Sequence, residues 1–140
     1  MNAALAHEIA KLINARNELT RRYTAQCVLK AAGSYLCRLG DDSRLIGVVE
    51  IKRVQWYQCE IDHLSVREDQ EGRGVGSWLV ANAEAKAIQL GARMTQCTIR
   101  VGNDPSERLF RKFGYVPGVT FFNTRSGNHV TAYQKAIVTK

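Results

Sequence analysis

The sequence predicts one α+β domain built on a mostly antiparallel sheet of about six strands flanked by helices. Three observations predict it. A chain of 140 residues that is 45% apolar is long enough for one full core and too short for two ordinary domains, so residues 1–140 are read as a single unit. The apolar period switches from helical to alternating and back along the chain. The alternating segments are joined mostly by turns short enough for antiparallel neighbours.

Leu5, Ile9, Leu12 and Ile13 recur at helical spacing among charged positions, which predicts an amphipathic helix over residues 3–18. A second helical pattern runs from Thr20, as N-cap, through Tyr23, Cys27, Val28 and Ala31 to a stop at Gly33. Ser34 to Leu39 and Leu45 to Val54 alternate around Gly40-Asp41-Asp42 and predict a hairpin, with Gln55 to Val66 as a third strand beside it. From Gly74 to Leu90, Val75, Leu79, Ala83, Ala87 and Leu90 form one apolar stripe, and Gly91 stands where a left-handed cap is expected. Met94 to Val101 is predicted as a buried strand, and Pro105 to Phe113 as a short helix with Asp104 as N-cap. Val119 to Asn123 and Val130 to Ile137 close the chain as a hairpin around residues 124–128.

Composition narrows the partners. No apolar run approaches 18 residues, and the first residues carry acids and a helical period instead of a basic start and a cleavage site, so the expectation is a soluble cytoplasmic protein with no membrane partner. Cys27, Cys37, Cys59 and Cys97 form no C-x-x-C pair, which predicts reduced thiols and no metal site. A net charge of +7 favours an anionic partner, such as a phosphorylated cofactor, an acidic protein surface or nucleic acid. The bases are interspersed with acids and form no arginine-rich tail, which argues against nucleic acid. A homodimer stays open.

The stretch Glu71-Gly72-Arg73-Gly74-Val75-Gly76 lies where a strand gives way to the best-defined helix. The first amides of a helix lack internal partners and face the turn before it, and the helix dipole favours negative charge there. A phosphate or pyrophosphate is therefore the expected ligand. No lysine follows as a Walker loop requires, and position 79 is Leu79 where a dinucleotide fingerprint needs glycine.

Leu64-Ser65-Val66 followed by the glycine loop resembles the acetyl-CoA-binding signature R/Q-x-x-G-x-G/A of the GNAT superfamily of N-acetyltransferases. A second block, Val101-x-Asn103 and then Leu109-Phe110-Arg111-Lys112-Phe113-Gly114-Tyr115, resembles that family's N…LYxxxGF segment. The resemblance covers residues 35–137 and implies a mixed sheet that lacks the family's usual first strand. It implies that Leu64, Ser65 and Val66 bind the pantetheine arm, that the amides of Glu71, Gly72, Arg73, Gly74, Val75, Gly76 and Ser77 face the pyrophosphate, and that Asn103 contacts the arm. Two departures stand out. Glu71 occupies the R/Q position, and Phe110 replaces the tyrosine that protonates the departing thiolate, with Tyr133 as a substitute donor left open beside solvent.

The implied reaction moves an acetyl group from acetyl-CoA to a primary amine by direct attack. At pH 7 the neutral form of a lysine lies about 4.6 kcal/mol above its ammonium, so a base near the amine is useful. Glu60-x-x-x-Leu64-x-Val66 resembles the strand on which the histone-acetylating branch carries its catalytic glutamate, which makes Glu60 the first candidate and Asp62 the second. The two share a strand face, and each raises the other's pKa. His63 falls on the opposite face as a partly buried structural residue. Two alternatives stay open: a non-catalytic acyl-CoA-binding module on the same fold, and a basic nucleic-acid-binding domain.

Overall fold

The computed structural model describes residues 1–17, 19 and 22–138. In chain order the elements are helix α1 (Ala3–Arg16), helix α2 (Ala25–Lys30), strands β1 (Tyr35–Leu39), β2 (Leu45–Gln55) and β3 (Gln58–Val66), helix α3 (Val75–Gln89), strand β4 (Met94–Arg100), helix α4 (Asp104–Lys112), and strands β5 (Val116–Asn123) and β6 (Asn128–Ala136). The strands form a six-stranded sheet in the order β1-β2-β3-β4-β6-β5. The expected α+β class and element order are both found.

The chain divides into two compact units, residues 1–50 with 63–83 and residues 51–62 with 84–140. In the first, Ala6, Ile9 and Ile13 of α1 are fully buried with Val28 of α2 and Val48 of β2. Burying an isoleucine contributes about 2 kcal/mol, so the apolar stripe of α1 holds it down. β1 pairs antiparallel with β2 from Tyr35↔Glu50 to Arg38↔Gly47. A Cβ on Gly47 would lie 2.7 Å from Val75 Cγ1. Glycine there lets the start of α3 approach β2 directly.

In the second unit, β3 pairs parallel with β4 over Gln58↔Met94, Cys59↔Thr95 and Glu60↔Gln96. β4 pairs antiparallel with β6 from Met94↔Ala136 to Arg100↔Val130, and β5 pairs antiparallel with β6. Thr95, Cys97 and Ile99 are buried, while Gln96, Thr98 and Arg100 alternate to the other face.

The structure corrects several boundaries. The second helix begins at Ala25, capped by Thr24, whose side chain accepts from the Cys27 amide at 3.2 Å. The predicted cap Thr20 and the predicted end of α1 at residue 18 lie outside the described residues. α4 begins at Asp104 with Asn103 as its cap, so Asp104 is inside the helix; two adjacent cap-forming residues before Pro105 made the choice ambiguous. Trp56-Tyr57 is a turn before β3, and the Trp56 ring is 72% exposed. β5 starts at Val116, because a proline such as Pro117 is tolerated on the outermost strand.

Candidate active site

The glycine loop is built between the end of β3 and α3, inside the first unit. Gly72 and Gly74 have φ of 76° and 79°, a left-handed backbone that side chains disfavour. A Cβ at either would meet nothing within 4 Å, so backbone conformation, not crowding by the protein, requires glycine there. The Trp78 amide donates to Gly74 O at 3.0 Å and opens the helix. No acid lies in that first turn, and the first amides of a helix face the turn before it. Fifteen residues of helix stand behind them, and the arrangement suits a phosphate.

The acids before the loop have cationic partners. Arg67 grips Asp69 through Nε and Nη2 at 2.6 and 3.2 Å, and that hydrogen bond pulls the Asp69 carboxyl below its usual range. Glu71 pairs with the Arg16 guanidinium of α1, which also stands 4.0 Å from Glu68. An arginine from the last turn of α1 thus offsets the acid at the signature position. Nothing local in the sequence links Arg16 to a loop 55 residues away, so it was missed. Removing Glu71 as Glu71→Gln is expected to tighten acetyl-CoA binding, and Arg16→Ala to weaken it, each about threefold given the modest worth of an exposed pair. Calorimetric titration with acetyl-CoA checks both.

Upstream in β3, Glu60 and Asp62 belong to the second unit. Glu60 sits opposite Gln96 in the parallel ladder, so its side chain shares the face of Gln96, Thr98 and Arg100. Burial first, and then the charge of Asp62, push the Glu60 carboxyl above its usual range, partly offset by Lys52. Lys52 Nζ lies 3.6 Å from Asp62 Oδ2. Beyond the C-terminal end of β4 an open cavity of about 580 Å³ is lined by Arg100, Val101, Gly102, Asn128 and His129.

His63 is half-buried, as expected, but its backbone is not that of a strand: φ is 54°. Tyr23 Oη lies 2.9 Å from His63 Nε2 and 3.5 Å from Oε1 of Glu50, which is 2% exposed. The Tyr23 and His63 rings meet edge to face at 4.9 Å. Asn14 fixes the Tyr23 backbone from both sides, accepting from its amide and donating to its carbonyl, each at 2.8 Å. The Ser65 hydroxyl donates to His63 O at 2.9 Å and accepts from Asn17 Nδ2 at 2.8 Å.

In the second block, Phe110 is buried and stacks edgewise on Tyr115 at 5.1 Å. The Tyr115 hydroxyl is 2.6 Å from Thr95 Oγ1, and burial pushes its pKa far up. Tyr133 donates to Glu107 Oε1 at 2.5 Å; burial and this carboxylate raise its pKa too, which makes it a poor proton donor. Asn103 is half-buried and its side chain makes no cap hydrogen bond to α4. Among the described residues no cluster of His, Cys, Asp or Glu could hold a metal ion, and none of the four cysteines is in a disulfide. No described helix is long and apolar enough to cross a membrane.

Several known proteins are similar to this chain. A Bacillus subtilis (strain 168) protein named "Putative ribosomal protein bS18-alanine N-acetyltransferase" is 28% identical over 60 residues, a stretch spanning 43% of this chain and 40% of that relative. The crystal structure of Ard1 from Thermoplasma volcanium matches with a TM-score of 0.83 at 17% identity, covering 99% of this chain and 95% of that one. The structure of yncA from Salmonella typhimurium with its cofactor acetyl-CoA matches at 0.84 and 15% identity, over 100% and 92%. The NatC complex bound to Gag peptide and CoA matches at 0.83 and 18% identity, over 96% and 92%. At such identities the structures establish the fold, while the model of the acetyltransferase (GNAT) family matches residues 3–115 of the sequence itself. Most of the chain, including the glycine loop, the acid pair and the Asn103 block, lies within that match, and the chain belongs to the GNAT acetyltransferase family.

Proposed function

We propose that this chain is an acetyl-CoA-dependent N-acetyltransferase whose acceptor is the primary amine of an acidic peptide or protein. One observation carries the first half: the first-turn amides of α3 open onto a loop held by two left-handed glycines, with no acid in that turn to compete for an anion. That is the chemistry a CoA diphosphate requires. Bound acetyl-CoA supplies an activated acetyl thioester. The loop amides from Glu71 to Ser77 hold its diphosphate, Leu64, Ser65 and Val66 line its pantetheine arm, and Asn103 keeps a side chain available for the same arm.

Glu60 takes the proton from the acceptor ammonium, directly or through a water. Its raised pKa suits that task, because a base works best when its pKa approaches the working pH. Asp62, tied to Lys52, contributes its charge to that shift. Backbone amides near Leu64 polarise the thioester carbonyl. With Phe110 at the family's tyrosine position and Tyr133 bound to Glu107, the departing thiolate takes its proton from solvent. A thiol of pKa about 8.5 needs little help near neutrality.

The peptide acceptor is supported by the relatives named for an alanine of a ribosomal protein and for a complex with a peptide. Its acidic character is supported by Arg100, which shares the face of Glu60 about 13 Å farther along β4 and lines the cavity there. Saturating acetyl-CoA, at about a hundred times its Kd, is expected to stabilise the fold by about 2.7 kcal/mol. Peptides with acidic residues after the amine are expected to show lower KM than basic ones in a thiol-release assay. Cofactor binding with no acetylated product on any amine would contradict the enzyme reading, and equal KM for acidic and basic peptides would contradict the acceptor class.

A further inference from the structure

We propose that Ser65 and His63, braced by Asn17 and Tyr23, are positioning residues that aim the Leu64 amide. The inference rests on the reading above that amides near Leu64 polarise the thioester carbonyl. His63 is a non-glycine residue in the left-handed region, a conformation that side chains disfavour and that persists only where its surroundings impose it. Here they impose it from both sides. Tyr23 holds the imidazole at 2.9 Å, and Asn14 in turn holds the Tyr23 backbone. The Ser65 hydroxyl holds the His63 carbonyl at 2.9 Å, and Asn17 holds that hydroxyl at 2.8 Å while also donating to Ile13 O at the end of α1.

One peptide plane carries both the His63 carbonyl and the Leu64 N–H, and in a trans peptide the two point in opposite directions. The hydroxyl that captures the carbonyl therefore sets the direction of the amide. Ser65 is 1% exposed, so water cannot readily replace its hydroxyl in this role. A donor fixed before the reaction loses no reorganisation energy when charge develops on the carbonyl oxygen. The end of α1 and the residue before Thr24 thereby act on the reacting centre through the backbone of β3, without touching the substrate.

The experiment uses the full chain and acetyl-CoA labelled with carbon-13 at the acetyl carbonyl, with infrared difference spectra of the bound form. In the wild type the carbonyl band is expected to shift to lower frequency than in solution. Ser65→Ala should lose most of that shift and Tyr23→Phe part of it, while Ser65→Thr, which keeps the hydroxyl, should retain more than the alanine variant. Turnover should fall about tenfold in Ser65→Ala, short of the 10²–10³ lost when a donor itself is removed, while Tyr23→Phe, which alters no residue that lines the cofactor, should leave Kd for CoA, which has no acetyl carbonyl, unchanged. A wild-type shift that survives intact in both Ser65→Ala and Tyr23→Phe overturns the bracing. A wild-type band at its solution frequency overturns the Leu64 reading on which the bracing depends.

Discussion

Replacing Glu60 by glutamine is expected to lower kcat about 10²-fold, the lower end of what a positioned base contributes, with little change in Kd for acetyl-CoA. The amide keeps the shape of the carboxyl and removes its ability to take a proton. The expected pH dependence follows from the raised pKa of Glu60. In the wild type, activity should fall on the acid side at a pH above the usual glutamate value of about 4.3, and this limb should be absent from the residual activity of the variant. The effect on stability has the opposite sign to the effect on activity. A carboxyl raised in the folded state contributes stability that is present below its unfolded pKa and lost as pH rises through its folded one. Above its folded pKa the half-buried Glu60 carboxylate is thus a net cost, and there Glu60→Gln should melt at the same temperature as the wild type or higher. A variant that keeps full turnover at neutral pH would remove Glu60 from the reaction.

Gly74→Asp is expected to weaken acetyl-CoA binding by about 10²–10³-fold, since a carboxylate some 4–5 Å from a diphosphate costs about 3–4 kcal/mol at an effective dielectric of 20. Strain must be separated from charge, because Gly74 has φ of 79°. Asparagine tolerates the left-handed region about as well as aspartate and carries no charge. Gly74→Asn should therefore bind acetyl-CoA well enough to separate the two effects, and salt should narrow the gap between the variants as screening grows. Equal affinity in the asparagine and aspartate variants would mean that no diphosphate lies against the start of α3.

Features confined to one element were legible in the sequence. The stripe from Val75 to Leu90 gave α3 nearly to the residue, and Gly91 does take a left-handed backbone, with φ of 87°. The pairing of Glu60 with Asp62 on one face follows from strand alternation alone. Other features depend on contacts that no local period encodes. Arg16 reaches Glu71 across 55 residues, and Tyr23 reaches His63 across 40. Thr24 caps α2, and no local period singles it out. Gly72 and Gly74 are required first by their own left-handed backbone angles, which the sequence alone does not display. The left-handed His63 carried no sequence signal, because histidine within an apparently regular strand gives no sign of a turned peptide plane.

The central claim is transfer of an acetyl group from acetyl-CoA to an amine. It is tested most directly by incubating the wild type with acetyl-CoA and a panel of acidic peptides, then measuring free thiol and acetylated peptide in the same samples. The expected result is thiol released in equal amount to acetylated amine, with both lost together in Glu60→Gln. Saturable acetyl-CoA binding accompanied by neither thiol release nor acetylated product on any amine would contradict it.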